Sequence, residues 1–387
     1  MCLPFCRVSG YRSSGVTGYA TRILGLGRLL GRRTAFAREV SGMTSTHDDE
    51  RTDRRRGGLT MRDIAALAGV SSKSVSLVVN GLPGVGEQTR LRIQELIEQH
   101  GYTPRAQAQG LATGRAFLIA HVFNNPNPEY LMLMQQGLLD ALEETGHALV
   151  SFPMQRDDPQ FLDRLRSFVD RHRLDGVVFT SSVSEDRRIR PLMEDLGVPY
   201  VRVAAKALDT RPRSVVGGDR AAAGLAAEHL YALGHREIAM VAGPPSFLSA
   251  RERQSGFLAT LEGFGAALAP SLIKGGEYTF ASGLAAGESL LGGPQPPTAV
   301  FAANDEMAVG VMQAAQRAGL RVPNDLTVVG FDDFSIATRV FPRLTTVRIP
   351  TREMGRLASL KLLQRAQGTS CAPGELIIRE TSAPPRS

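Results

Sequence analysis

Six short apolar runs punctuate the chain from residue 117 onward, at 117–123, 148–152, 176–179, 238–242, 299–302 and 326–331, with amphipathic stretches such as 130–144 and 220–233 between them. Runs this short suit strands, and the stretches between suit helices with one apolar face. Alternation of this kind leaves few folds open. Each helix carries the chain back to the same edge, so the strands pair in parallel and the helices cover the sheet. About 270 residues of it exceed one comfortable open sheet, so the pattern predicts two parallel-sheet subdomains with a cleft between them. At 387 residues and 43% apolar, the chain can fill more than one core. No apolar run approaches the roughly 20 residues that cross a bilayer, and no membrane partner is expected.

Residues 1–58 differ in composition from everything after them. Up to Met43 they hold seven Arg and one acid, Glu39, and without apolar periodicity this basic extension is expected to stay disordered. It resembles an organellar transit peptide, and it is also what a start codon assigned too far upstream would add, with Met43 the natural start. The formal net charge of +7 favours an acidic partner, nucleic acid above all. Cys2, Cys6 and Cys371 are too few and too scattered for a disulfide framework or a zinc site, which fits a reducing cytoplasm.

Between these regions the stretch "LTMRDIAALAGVSSKSVSLVVNG", from Leu59 to Gly81, holds two short helical periods. Thr60 is placed to cap a first helix, with Asp63 as its third residue and Ile64, Ala65 and Ala68 on one face. Gly69 permits a left-handed turn, Val70 plugs the angle, and Ser71 caps a second helix with Val75, Val78 and Val79 inward until Gly81 ends it. A third helix over 87–99 is expected to add Leu91, Leu96 and Ile97 to the same core. Ser72, Lys73 and Ser76 then lie at the start and outer face of the second helix, where a recognition helix meets base edges in a major groove. Taken alone, such residues are ordinary surface decoration; the complete spacing favours DNA.

The pattern T-x-x-D-I-A-x-x-A-G-V-S-x-x-S-V-S over 60–76, followed by Val79-Asn80 and Gly101-Tyr102-x-Pro104, resembles the LacI/GalR transcription regulators. The likeness runs from Thr60 almost to the C-terminus. It implies a helix-turn-helix head over 59–104, a hinge over 105–115 and an effector-binding and dimerisation domain over 116–387. That domain would have the periplasmic-binding-protein fold, with subdomains of about 116–216 plus 348–370 and 217–347 plus 371–387. The implied DNA-contact set is Thr60, Ser71, Ser72, Lys73, Ser76 and Leu77 in the head, with Arg105 and Leu111 in the hinge. Leu77 stands where many members carry a base-contacting arginine; leucine cannot donate to guanine, so a thymine methyl or other positions must be read instead. Leu111, in "PRAQAQGLATGRA", matches the leucine that the family wedges into the minor groove. Gln109 and Ala112 replace residues that are often basic there, which leaves Arg105 and Arg115 for the phosphates.

Ligands of parallel sheets gather beyond the carboxyl ends of the strands, and polar residues sit after the apolar runs: Asn124 and Asn125, Asp219, Asn304 and Asp305, Asp332 and Asp333. Many such residues merely cap helices or form turns. The resemblance selects Tyr130, Leu131, Arg253, Phe301, Asn304 and Asp332 as effector-facing, with Asp219 beside them and Phe301 as a stacking platform. Gly217-Gly218 and Gly292-Gly293 lack phosphate-loop spacing. With no nucleophile motif, metal-ligand cluster or cofactor loop, neither catalysis, a metal nor a cofactor is expected. The resemblance therefore implies a homodimeric repressor in the bacterial cytoplasm, on the nucleoid, that binds palindromic double-stranded operator DNA under the control of a small effector, a carbohydrate first. A non-sugar effector, corepressor or activator behaviour is the alternative. A sugar transport receptor or an enzyme is more remote, since neither begins with such a head.

Overall fold

The computed structural model describes residues 59–79, 81–102, 116–366, 371 and 373–386. The basic extension, Asn80, and the hinge with Arg105, Leu111 and Arg115 lie outside the described residues. The head consists of α1 (Met61–Ala68), α2 (Ser72–Val79) and α3 (Glu87–Gln99). Its opening is a complete capping box. The Asp63 amide donates to Thr60 Oγ1 at 3.4 Å while Asp63 Oδ2 accepts from the Thr60 amide at 2.8 Å. Gly69 takes φ 68°, and Ser71 Oγ accepts from the Ser74 amide at 3.1 Å, so the turn and the second cap form as their residue types dictate. Ile64, Ala65, Ala68, Val75 and Val78 fill the core, with Val70 and Val79 partly buried against it. The expectation for Leu91 fails: it is 52% exposed, and Ile93 is fully buried in its place. On a helix the two positions lie about 200° apart, and Ile93 shares its face with Leu96 and Ile97.

Beyond the head, strands β1 (Leu118–Phe123), β2 (Ala148–Pro153), β3 (Gly176–Phe179), β4 (Tyr200–Ala204) and β5 (Ser214–Val216) form a parallel sheet in the order β2-β1-β3-β4-β5. A second sheet, in the order β11-β10-β9-β8-β6-β7, is built from β6 (Ile238–Ala242), β7 (Ile273–Gly275), β8 (Ala299–Ala302), β9 (Thr327–Asp332), β10 (Thr345–Arg348) and β11 (Glu375–Ile377). It is parallel except at its edge, where β11 runs antiparallel to β10 with Val347 opposite Leu376. The six apolar runs became β1, β2, β3, β6, β8 and β9. The other five strands carry no such run: β5, β7 and β11 are three residues each, and β4 is interrupted by buried Arg202, whose Nε donates to the Ser184 carbonyl at 2.6 Å.

The chain passes from one lobe to the other after β5, returns after β10 to lay the helix Thr351–Leu362 against β3, β4 and β5, and leaves again to form β11. That helix packs on Pro128–Leu142, and a Cβ added to Gly137 would sit 1.8 Å from the Arg352 carbonyl oxygen. Gly256 lies as close to Arg220 in the pair Asp219–Ala232 and Leu248–Gly263, and Gly283 and Gly310 meet where Phe280–Leu291 crosses Asp305–Arg317. Backbone approaches this close leave no room for a side chain.

Candidate ligand cleft and nucleic-acid interface

Both parallel sheets reverse their direction of winding once, between β1 and β3 in the first lobe and between β6 and β8 in the second. Loops leave opposite ways at such a point and open a crevice beyond the carboxyl ends of the strands. The two crevices face one another. Between them lies a chamber with about 710 Å³ of empty space, its open mouth included.

At its floor, Arg253 from the helix Leu248–Gly263 is held by three acceptors. Nε donates to Asp219 Oδ1 at 2.8 Å, one terminal nitrogen donates to the Ala303 carbonyl at 2.6 Å, and the other pairs with Asp332 Oδ1 at 3.0 Å. The guanidinium also lies 3.9 Å from the centroid of the Phe331 ring. Burial opposes its charge, but Asp332, Tyr278 and Asp219 outweigh that and keep it protonated. The same burial pushes Asp332 up to about 6 and Tyr278 up to about 12. Two of the residues expected to face a ligand thus pair directly with each other. What they offer a ligand is one preassembled group of donors and acceptors.

The first lobe supplies amides and hydroxyls. Asn125 Nδ2 donates to Ser181 Oγ at 3.1 Å and Asn127 caps the helix Pro128–Leu142, whose third residue, Tyr130, lines the chamber. Asn304 lines it too. Its Oδ1 accepts from the Met307 amide at 2.9 Å and its Nδ2 donates to the Tyr278 carbonyl at 3.0 Å, so it caps a helix as well as facing the cleft. Two expectations need correction. Phe301 is fully buried, stacked on Phe257 at 4.5 Å and edge-on to Phe331, and does not reach the chamber. It points into the sheet interior because successive strand residues face opposite ways, and the helix Leu248–Gly263 covers that face. Leu131 is not among the lining residues either, being one position past Tyr130, about 100° around the helix.

Ser181, Ser249, Tyr278 and Glu185 line the chamber without having been singled out by sequence. Ser181, Tyr278 and Asp332 share a signature that residue type hides: φ of 57°, 60° and 107°, in the left-handed region that side chains avoid. Strain of this kind concentrates where a site holds a side chain against its local preference.

Contacts also span the cleft. Glu129, at the start of Pro128–Leu142, accepts from the Ser335 amide at 2.8 Å and the Ser335 hydroxyl at 2.7 Å on the second lobe. Glu185 accepts from the Leu248 amide at 2.7 Å, and burial raises its pKa. Two first-lobe carboxylates therefore hold helix starts of the second lobe, where amides are left without intrahelical partners.

In the head, Thr60, Ser71, Ser72 and Lys73 are exposed, and Ser76 and Leu77 are half-buried along the same helix. Thr60 and Ser71 spend their side chains on the caps described above, which leaves Ser72 and Lys73 as the outward groups of α2.

A helix-turn-helix joined to a two-lobed cleft defines a DNA-binding regulator with a ligand-sensing domain. Residues 60–105 match "Bacterial regulatory proteins, lacI family" and residues 227–386 match "Periplasmic binding protein-like domain". The chain is 32% identical over 311 residues to the probable HTH-type transcriptional repressor ExuR of Bacillus subtilis (strain 168), covering 79% of this chain and 91% of the relative. Two solved structures are similar over 84% of this chain and all of theirs. They are the lac repressor dimer bound to operator and the anti-inducer ONPF (28% identity, TM-score 0.73) and the complex of transcriptional regulator CelR with cellobiose (29%, 0.63). The chain belongs to the LacI family of bacterial transcriptional regulators. Among its described residues no helix is long and apolar enough to cross a membrane.

Proposed function

We propose that this chain is a cytoplasmic homodimeric repressor that grips a palindromic operator through α2 and the hinge, and that a carbohydrate in the interlobe cleft loosens that grip. One observation carries the reading: the chamber is walled by both lobes, with Arg253, Asp219 and Asp332 on one side and Asn125, Ser181 and Tyr130 on the other. A polyhydroxylated ligand there would pair adjacent hydroxyls with carboxylate and amide groups of both lobes, and so favour one lobe arrangement over another. In the head, Ser72, Lys73 and Leu77 are proposed to face bases, with Thr60, Ser71 and Ser76 nearer the backbone. In the hinge, Arg105 is proposed to meet phosphate and Leu111 to wedge open a base step. No catalytic step belongs to this reading. Fluorescence anisotropy on the DNA upstream of the chain's own gene tests it: tight, salt-dependent binding that exceeds random DNA and falls when a carbohydrate is added is expected. Equal binding to both DNAs would overturn the reading.

A further inference from the structure

The cleft does not end at the chamber around Arg253. Asn125 and Phe247 line that chamber and also a second, outer one, larger and more open, with about 1400 Å³ of empty space including its mouth, among the loops that follow β1, β2 and β6. Phe247 stands at the junction, edge-on to Tyr278 at 5.7 Å between ring centroids. Amide and hydroxyl groups of Asn124, Gln155, Ser182 and Ser246 continue the polar lining outward.

Charge in the inner chamber is arranged against anions, and in the outer one it is balanced. Among the described residues lining the inner chamber, Arg253 is the only cation; Asp219 and Asp332 pair with it, while Glu185, the third carboxylate of the lining, is held by Arg156 and Arg251. Every nitrogen of its guanidinium already meets a protein acceptor. A carboxylate or phosphate arriving there would lie against Asp219 and Asp332 with no second positive group to offset them. In the outer chamber Arg156 is drawn to Glu185 at 3.3 Å and Arg164 to Asp158 at 2.6 Å, and Asp157 and Glu277 balance their charge. Both spaces therefore suit a neutral chain of hydroxyls. The inner one is the smaller and more enclosed, and the outer one continues from it toward the surface past Phe247.

Resting on the carbohydrate reading, we propose that the cleft takes an uncharged saccharide of at least two linked rings, one in each chamber, and turns away sugar acids and sugar phosphates. The test is calorimetry and thermal shift on the full chain with matched probes. These are glucose and galactose, their uronic acids, glucose 6-phosphate, and the neutral disaccharides cellobiose, maltose and lactose. A disaccharide should bind at least tenfold more tightly than its own monosaccharide, and the uronates and the phosphate should bind at least a hundredfold more weakly than a neutral probe of the same ring. In Ser246→Trp, which fills the outer chamber from an exposed loop, the disaccharide should lose that tenfold advantage while the monosaccharide affinity stays. An unchanged unfolding midpoint without ligand would show the variant folded. Preference for a uronate or phosphate, or disaccharide binding indifferent to Ser246→Trp, would overturn this inference and leave the carbohydrate reading standing. Response to none of these carbohydrates, with operator DNA still bound, would overturn the carbohydrate reading and this inference with it.

Discussion

Asp332 answers to several constraints at once. It ends β9 at φ 107°, pairs with Arg253 at 3.0 Å, and is held by burial at about 6 instead of its ordinary 3.8. A carboxyl whose folded pKa is raised keeps a proton that the unfolded chain has released, so between roughly pH 4 and 6 the stability owed to it falls as pH rises and then levels off. Asp332→Asn has no such proton, and its stability relative to wild type should climb across that window in urea unfolding. A pH-independent difference would mean that Asp332 titrates normally. The same variant should weaken carbohydrate binding by about 1–3 kcal/mol, because an acceptor for a buried hydroxyl is lost. Arg253→Ala is the poorer probe. It leaves Asp219 and Asp332 without their cation, and removing one partner of a buried pair costs about 3–5 kcal/mol, so binding and folding would fail together. In the head, Lys73→Ala should cost about 1–3 kcal/mol on operator and less on random DNA if Lys73 reads a base. Equal losses in a salt-titrated assay would make it a phosphate contact.

At the scale of elements, the helices meet through glycine. Gly137 touches the backbone of the helix Thr351–Leu362 at Arg352, and Gly355 of that helix approaches Met134 in return, with an added Cβ only 2.3 Å from its carbonyl oxygen. Gly137→Ala must push the two helices apart or distort them, and overpacking of this kind costs about 1–3 kcal/mol. Thermal unfolding should show the loss, and an unchanged midpoint would mean that the crossing is looser than its geometry. Period and composition located Pro128–Leu142 and Asp219–Ala232 to within two residues. They gave no hint that glycines at 137, 256 and 310 were contact points, because a glycine in a helix reads locally only as a weak propensity.

At the scale of the whole molecule, Glu129 connects the lobes through Ser335 without lining the chamber. Ligand that bridges the lobes and Glu129 that bridges them favour the same arrangement, so Glu129→Ala should lower apparent effector affinity roughly tenfold with no ligand contact removed. Calorimetry together with solution scattering checks this. Unchanged affinity and an unchanged radius of gyration would make the contact incidental.

Local chemistry was legible where one residue type has one use. The capping box at Thr60 and Asp63, the left-handed turn at Gly69 and the cap at Ser71 are settled by groups within four positions of one another, and the head follows from them. Six strands were legible as short, mainly apolar runs, five of them largely buried, while β2 lies half-exposed at the edge of its sheet. Tertiary structure decided the rest. β7 and β11 are strands only because a neighbour offers an unpaired edge, and Ile93 displaced Leu91 because helix rotation is set by what the helix packs against. In the cleft, the sequence marked Arg253, Asp219 and Asp332 as polar residues at three distant places. That they form one buried cluster, with Phe301 withdrawn behind it and Ser181 and Tyr278 brought forward in strained conformations, depends on two sheets facing each other across a chain that crosses three times. Spacing along a chain records the period of each element, and it carries no record of which loops the closed fold sets side by side.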